Sequence, residues 1–148
     1  MRFIFVDKIL ELTPGKSIRA LKKISHNEDY FEDHFPGFPV VPGVLLTEMM
    51  AQTAGKCLDA DKTHPGRAML ARITSATFRH WVGPDQDAII NADIKTNRIH
   101  FATADCNIKI QSKKVCTAEL FFTFVPFERF SPEYHDETLE SYLKKYLT

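Results

Sequence analysis

The distribution of apolar residues predicts one buried helix near the middle of the chain. Residues 44–55 are apolar on nearly every side, and a helix that is apolar all round is a buried helix. Pro42 and Gly43 mark its start, because proline is not tolerated inside a helix and Gly43 allows a close approach to the backbone. The polar exceptions within the segment are Thr47, Glu48, Gln52 and Thr53. We therefore expect a single long core helix.

The segments around this helix have the alternating pattern of β-strands. In residues 17–25 the alternation places Ile18, Ala20, Lys22 and Ile24 on one side. The polar residues 59–66 contain Pro65 and Gly66 and are predicted to be a loop. The predicted strands are 3–12, 17–25, 67–79, 87–98, 99–111 and 115–124. These elements predict an α+β fold in which a curved antiparallel sheet of five or six strands wraps one long central helix.

A second helix is predicted at the C-terminal end, in an extension over residues 127–148 that follows a domain over residues 1–126. Ser131 followed by Pro132 is typical of a helix N-cap and first turn. Leu139, Tyr142, Leu143, Tyr146 and Leu147 share one helical face. We expect this helix to pack on its own subunit; a role in covering a site or contacting a carrier is the alternative.

Charge and cysteine content restrict the classes of function. Lys plus Arg and Asp plus Glu both number 19, so the net charge of zero gives no global attraction for nucleic acid or a membrane surface. No apolar run is long enough to span a membrane. The three cysteines Cys57, Cys106 and Cys116 lack metal-binding spacing and are expected to be reduced core residues of a cytoplasmic protein. No metal or cofactor is expected.

His34 and Glu48 are the candidate chemical groups. Residues 34–43 contain three prolines and two glycines, so this segment is predicted to be a rigid loop that fixes His34 relative to the helix start. The helix N-terminus adds unpaired N–H groups and a partial positive charge. Burial should raise the pKa of Glu48. A histidine, a buried carboxyl group and free N–H donors are the parts that proton transfer beside a carbonyl requires.

The segment HFPGFPVVPGVLLTEMMAQ resembles the motif of the β-hydroxyacyl-acyl carrier protein dehydratases of the FabZ/FabA group, which have the hot-dog fold. Two positions depart from the family pattern: Asp33 replaces a glycine and Met49 replaces an alanine. FIFVDKILEL resembles the first strand of the family, and TFRHWVGPDQ resembles its FRxxVxPGD segment. The resemblance extends over about the first 125 residues.

The resemblance implies dehydration of (3R)-hydroxyacyl thioesters on acyl carrier protein to trans-2-enoyl thioesters, in fatty acid or related acyl-chain biosynthesis. His34 would be the base and Glu48 the acid, contributed to each site by different subunits. Gly43 and Val44 would bind the thioester carbonyl, and Gln52 would orient Glu48. The family also implies a homodimer with a continuous sheet, and for FabZ-like members a trimer of dimers.

Two other functions stay open. A hot-dog acyl thioesterase would use a carboxylate to activate water, but thioesterases usually lack the proline-rich loop. A non-catalytic acyl-binding subunit is the second alternative, and the presence of both His34 and Glu48 argues against it. Because the carrier protein is acidic in related systems, a basic patch is expected near the site. Its candidate residues are Arg72, Arg79, Lys113 and Lys114.

Overall fold

A computed structural model describes residues 1–146 as one six-stranded antiparallel sheet around a long helix. The strands are β1 (Lys8–Thr13), β2 (Ser17–Ile24), β3 (Gly66–Phe78), β4 (Gln86–Asn97), β5 (Phe101–Ile110) and β6 (Lys113–Pro126). The helices are α1 (Gly43–Ala60) and α2 (Glu137–Tyr146), with 3-10 turns at Asp29–Phe31 and Phe127–Arg129. The strand order is β1-β2-β4-β5-β6-β3. The predicted α+β hot-dog architecture is confirmed.

Helix α1 lies against the concave face of the sheet. Its side chains Met49, Met50 and Leu58 are fully buried, and each such side chain contributes about 1.5–3 kcal/mol through removal from water. The helix begins at Gly43 as predicted but continues past Gly55 to Ala60, into the predicted loop. The three cysteines are free and buried in the core, as expected. No helix in the described part of the chain is long and apolar enough to cross a membrane.

Strand β3 is an edge of the sheet, paired on one side only, with β6. Two irregularities in its register, between Leu70 and Arg72 and between Ile73 and Ser75, change the alternation of its side chains. Gly66 is required at its start, because a Cβ there would collide with the backbone of Val125. A 13-residue strand with an unpaired edge and a largely exposed second half is a surface for pairing with another strand.

The N-terminal residues form a strand later than predicted. The apolar pattern of residues 3–12 predicted one continuous strand, but β1 begins at Lys8. Phe5 donates its N–H to Oε1 of Gln52 (2.9 Å), and Nε2 of Gln52 donates to the carbonyl of Phe3 (3.0 Å). One glutamine side chain therefore replaces a neighbouring strand, while Phe5 and Val6 are still buried.

The C-terminal helix begins five residues later than its predicted N-cap. Ser131 closes a single turn, in which its carbonyl accepts the N–H of Tyr134 (2.9 Å). The N-cap is Asp136 instead, because its Oδ1 accepts the N–H of Leu139 (3.1 Å). Leu139 is buried and Tyr142 packs against the core, as the helical face predicted. Leu147, also assigned to that face, lies outside the described residues.

A cluster of charged and aromatic residues attaches the C-terminal extension to the end of α1. Nζ of Lys56 lies 2.8 Å from Oδ2 of Asp136, and both side chains are largely buried. The guanidinium of Arg67 lies over three aromatic rings of the extension, 4.5 Å from the ring of Tyr134 and 5.6 Å and 5.9 Å from the other two. Cation–π contacts of this kind stabilise a partly buried arginine. The extension is thus packed on its own subunit.

Asp59, next to this cluster, should make stability depend on pH. Burial raises the pKa of its carboxyl group to about 6, although the N–H of Ala68 and the charge of Arg67 oppose the rise. A carboxyl group with a raised folded-state pKa contributes stability below its unfolded pKa and loses it as pH rises through about 6. We expect Asp59→Asn to be more stable than wild type at pH 8, by at most about 3 kcal/mol. Thermal unfolding at pH 4 should show little difference, and equal unfolding temperatures at pH 8 would contradict the expectation.

Candidate active site

The loop before α1 holds the His34 backbone from both sides. The N–H of His34 donates to the carbonyl of Tyr30 (3.0 Å), and the carbonyl of His34 accepts the N–H of Val40 (2.9 Å). Between these contacts, Phe35 and Phe38 exchange two backbone hydrogen bonds of 2.9 Å and 2.8 Å, which close a tight turn. The His34 ring is half-buried and stacks on the ring of Phe35, with 4.0 Å between the centroids. The imidazole is therefore attached to a rigid segment, as predicted.

The N-terminus of α1 offers free N–H donors. Pro42 occupies the N-cap position and provides no side-chain cap. In residues 1–146 the N–H groups of Gly43 and Val44 have no protein acceptor, whereas those of Leu45 and Leu46 donate to the carbonyl of Pro42. Together with the helix dipole, such donors attract a negatively charged oxygen.

Phe78, at the end of β3, packs directly against this helix terminus. Its ring lies 3.2–3.4 Å from the position that a Cβ on Gly43 would occupy. Any larger residue at position 43 would push the ring away, so the glycine allows an aromatic wall beside the free N–H group. Sequence reasoning missed Phe78; the only sequence signal was its position in TFRHWVGPDQ, at the end of a strand.

Glu48 has an unpaired carboxyl group one turn further along α1. The side chain is half-buried, and burial raises the pKa of the carboxyl group, as the apolar helix predicted. In the described chain this carboxyl group has no hydrogen-bond or ion-pair partner, and His34 therefore does not bind it. The half-exposed carboxyl group is therefore available to water, to a substrate or to a second subunit.

Gln52 lies on the same side of α1, but its side-chain amide is already hydrogen-bonded elsewhere. Both ends of its amide group bind the backbone of the N-terminal segment, at Phe3 and Phe5. It therefore fixes this segment next to the Glu48 face of the helix. Among the described residues no hydrogen bond links Gln52 to Glu48, so the predicted orienting role of Gln52 stays a prediction.

An exposed apolar surface surrounds these groups. Val44 is 76% exposed, Phe38 53% and Phe35 50%, and Phe78 is also substantially exposed. Exposed apolar side chains that cluster in this way mark a binding or association surface.

Three of the four predicted basic residues lie together. Arg79 donates its N–H to the carbonyl of Val115 (2.8 Å), next to Lys113 and Lys114 at the start of β6. Lys109 lies directly opposite Lys114 across the β5–β6 pair. Like charges in that position repel each other, so the pair concentrates positive charge at this end of the sheet. Within residues 1–146 none of these four cations forms an ion pair.

Arg72 does not belong to this cluster. It pairs with Phe121 further along β3 and its guanidinium lies 5.3 Å from the centroid of that ring. Its inclusion in the patch is therefore wrong, because seven residues of extended strand, about 23 Å, separate it from Arg79. Sequence reasoning also missed Lys109, whose proximity to Lys114 depends on the pairing of β5 with β6. We call Arg79, Lys109, Lys113 and Lys114 the basic cluster.

Sequence comparison connects this arrangement to a known family. The sequence profile of the FabA-like domain matches residues 1–119, which include the loop, α1 and five complete strands. The chain belongs to the FabA-like family. The 3-hydroxyacyl-[acyl-carrier-protein] dehydratase FabZ of Lactobacillus helveticus is 38% identical over 120 residues, which are 80% of this chain and 81% of that protein. The FabZ of Wolbachia pipientis wMel is 35% identical over 119 residues, 80% and 83% of the two chains.

Solved structures with similar folds include members of several functional groups. The dehydratase heterocomplex ApeI:P from Xenorhabdus doucetiae superposes with a TM-score of 0.67 at 14% identity and covers 83% of this FabA-like chain and 84% of that chain. The PaaI protein from the phenylacetic acid degradation operon of E. coli superposes with a TM-score of 0.66 at 11% identity. The match covers 81% of this chain and 80% of that chain. At these identities the structural likeness shows the fold alone.

Proposed function

We propose that this FabA-like protein dehydrates (3R)-hydroxyacyl thioesters carried on acyl carrier protein, giving trans-2-enoyl thioesters for fatty acid or related acyl-chain biosynthesis. The observation that carries the proposal is the combination of an anchored His34, an unpaired Glu48 with a raised pKa and the free N–H of Gly43. Similarity to FabZ proteins over about four fifths of the chain supports the same reaction.

The reaction needs one base, one acid and one oxyanion site. In the proposed mechanism His34 removes the proton from the carbon beside the thioester carbonyl, and the N–H of Gly43 stabilises the negative charge that develops on the carbonyl oxygen. The bond between the next carbon and its hydroxyl oxygen breaks while Glu48 donates a proton to that oxygen, so water leaves and the carbon–carbon double bond forms. Proton return from His34 to Glu48, through solvent, resets the site.

The proposed site is shared between two subunits. Within residues 1–146 the Glu48 carboxyl group forms no hydrogen bond or ion pair, with His34 or any other residue, while the apolar surface around both groups is exposed. Pairing of two β3 edges would give a continuous sheet and bring exposed residues such as Ile73 and Phe78 into the interface. This arrangement would place His34 of one subunit beside Glu48 of the other.

We extend the proposal to a trimer of such dimers. The face of the sheet away from α1 carries a stacked pair, Phe101 and Phe121, with 5.5 Å between centroids, and exposed Met69 on the adjoining strand β3. An apolar surface of this kind supports a further contact between dimers. Light scattering in solution should give the mass of a hexamer if the surface is used, and that of a dimer if it is not.

The basic cluster is proposed to dock the acidic carrier protein. Arg79 directly follows Phe78, which packs on Gly43, so the cluster lies near the entrance to the proposed site. Its unpaired cations would steer an acidic partner and increase the association rate at low salt. The three free thiols suit a reducing compartment and support a cytoplasmic location.

Charge reversal at the cluster tests the docking proposal. We expect Lys109→Glu combined with Lys114→Glu to raise KM for a carrier-linked substrate at least tenfold, because each lost attraction becomes a repulsion. KM for the corresponding pantetheine thioester should change by less than about twofold, since that substrate needs no docking surface. An equal effect on both substrates, or no effect on either, would reject the docking role.

Mass spectrometry of the products tests the proposed reaction. Wild-type protein incubated with a 3-hydroxyacyl-carrier substrate should produce the enoyl-carrier species, which has lost one water molecule. Release of the free acid would instead identify a thioesterase. Tight binding of the acyl carrier without turnover would identify a binding subunit.

A further inference from the structure

An unfilled space lies on the Glu48 face of α1, two turns beyond the carboxyl group. Glu48, Gln52, Gly55 and Asp59 follow one another at intervals of four, three and four residues, so they share one face of the helix. Gly55 is buried, yet a Cβ built on it would have no neighbouring heavy atom within 4 Å outside the local helix backbone. Protein interiors are packed to contact distance, so such a space is an exception.

No contact among residues 1–146 explains a glycine at this position. Gly55 has helical neighbours on both sides and no positive backbone dihedral angle. Glycine inside a helix is less stable than alanine, and here alanine would meet no obstacle. An occupant from outside this chain would account for the glycine.

The residues that flank Gly55 on this helix face bind two other segments of the chain. Gln52 holds the N-terminal segment with Phe3 and Phe5 along one side. At the far end, Asp59 accepts the N–H of Ala68. Gly55 therefore lies between two residues that bind other segments, on the same helix face as Glu48.

We propose that Gly55 forms the inner end of the acyl-chain site and determines how long a substrate tail the protein accepts. The inference rests on the proposed function, which places the carbonyl at Gly43 and the hydroxyl-bearing carbon at Glu48. The substrate then runs along α1 from its N-terminus toward its C-terminus. Gly55 lies about 10 Å beyond Glu48 along the helix axis, so only a long tail reaches it.

Substitution of Gly55 should impair the turnover of long substrates and leave that of short substrates nearly unchanged. We expect Gly55→Leu to lower kcat/KM for a 3-hydroxydodecanoyl thioester at least tenfold, because a filled pocket rejects the added methylene groups. A 3-hydroxybutyryl thioester has a single methyl group beyond its hydroxyl-bearing carbon, and its kcat/KM should stay within about twofold of wild type. Gly55→Ala should lower kcat/KM for the long thioester by less than Gly55→Leu does, and should raise Tm by about 2–4 °C. Ser141→Leu, which adds the same side chain to exposed α2, is the matched control. It should leave the ratio of the long-chain to the short-chain kcat/KM unchanged.

Binding measurements keep this inference separate from the proposed reaction. Dodecanoyl-pantetheine and butyryl-pantetheine have no hydroxyl group to lose, so their affinities report the acyl site whether or not wild-type protein dehydrates its substrate. The inference expects Gly55→Leu to weaken only the dodecanoyl ligand, by at least tenfold. Equal affinities for wild type and Gly55→Leu would overturn it. Dissociation of the oligomer by Gly55→Leu, detected by light scattering, would also overturn it, because the space would then hold a partner helix. If Gly55→Leu does not fold, the same comparison with Gly55→Ala decides the question.

Discussion

Replacing His34 by alanine is expected to lower kcat for water loss by about a thousandfold, within the range that a lost general base costs. His34 is the only proposed acceptor for the proton beside the carbonyl, and its loop holds the backbone through Tyr30 and Val40. Removal of the ring leaves those backbone hydrogen bonds intact, so KM should change far less than kcat.

His100→Ala is the matched control for this substitution. His100 is exposed in the turn between β4 and β5, far along the chain from the loop and from α1. Its variant should have wild-type kcat, and both variants should unfold at nearly the wild-type temperature. A His34→Ala enzyme that keeps more than a tenth of its kcat would rule out His34 as the base.

Replacing Glu48 by glutamine is expected to have the second largest effect, a loss of kcat of at least about a hundredfold. Glutamine keeps the shape of the side chain but has no acidic proton to donate to the leaving hydroxyl group. Glu119→Gln, on an exposed position of β6, provides the same chemical change outside the site and should leave kcat unchanged. A fully active Glu48→Gln enzyme would contradict the assignment of the acid.

The pH dependence of the wild-type enzyme should identify Glu48 further. Burial raises the pKa of Glu48, so the protonated form persists to a higher pH than in an exposed glutamate. Wild-type kcat should fall as pH rises through that pKa, and the fall should be absent from the residual activity of Glu48→Gln.

The stability of the fold should depend on pH in the same direction. The contribution of Glu48 to the free energy of unfolding is present below its unfolded pKa and is lost as pH rises through the raised folded-state pKa. Glu48→Gln should therefore unfold at a higher temperature than wild type at pH 8 but not at pH 4.

The sequence predicted those parts of the fold that depend on local patterns. Apolar residues on nearly every face predicted α1. The alternation of apolar and polar residues predicted β2, in which Ile18, Ala20, Lys22 and Ile24 are all buried. The proline-rich segment predicted the rigid loop, because proline and glycine restrict the backbone independently of tertiary contacts. These features are determined by residues close to one another in the chain.

Contacts between distant residues account for the predictions that were wrong. The strand pattern of the N-terminal residues is real, but Gln52, far along the chain, takes their hydrogen bonds. Ser131 and Asp136 are both acceptable caps, and Asp136 is used because Lys56 also binds its carboxylate. The proximity of Lys109 to Lys114 depends on the pairing of β5 with β6, so the sequence did not place Lys109 in the basic cluster. The space beside Gly55 could not be predicted at all, since it depends on what several elements leave unfilled.

The central claim is that one site uses His34 from one subunit and Glu48 from its partner, and mixed dimers test it most directly. His34→Ala and Glu48→Ala chains that carry different affinity tags can be co-expressed, and the mixed dimer purified. Each parent dimer should be inactive, but the mixed dimer should have one complete site and about half the wild-type rate. A dimer of wild type with a chain carrying both substitutions should then be inactive. Activity in that second dimer and none in the first would show that His34 and Glu48 act within one chain, and would contradict the account.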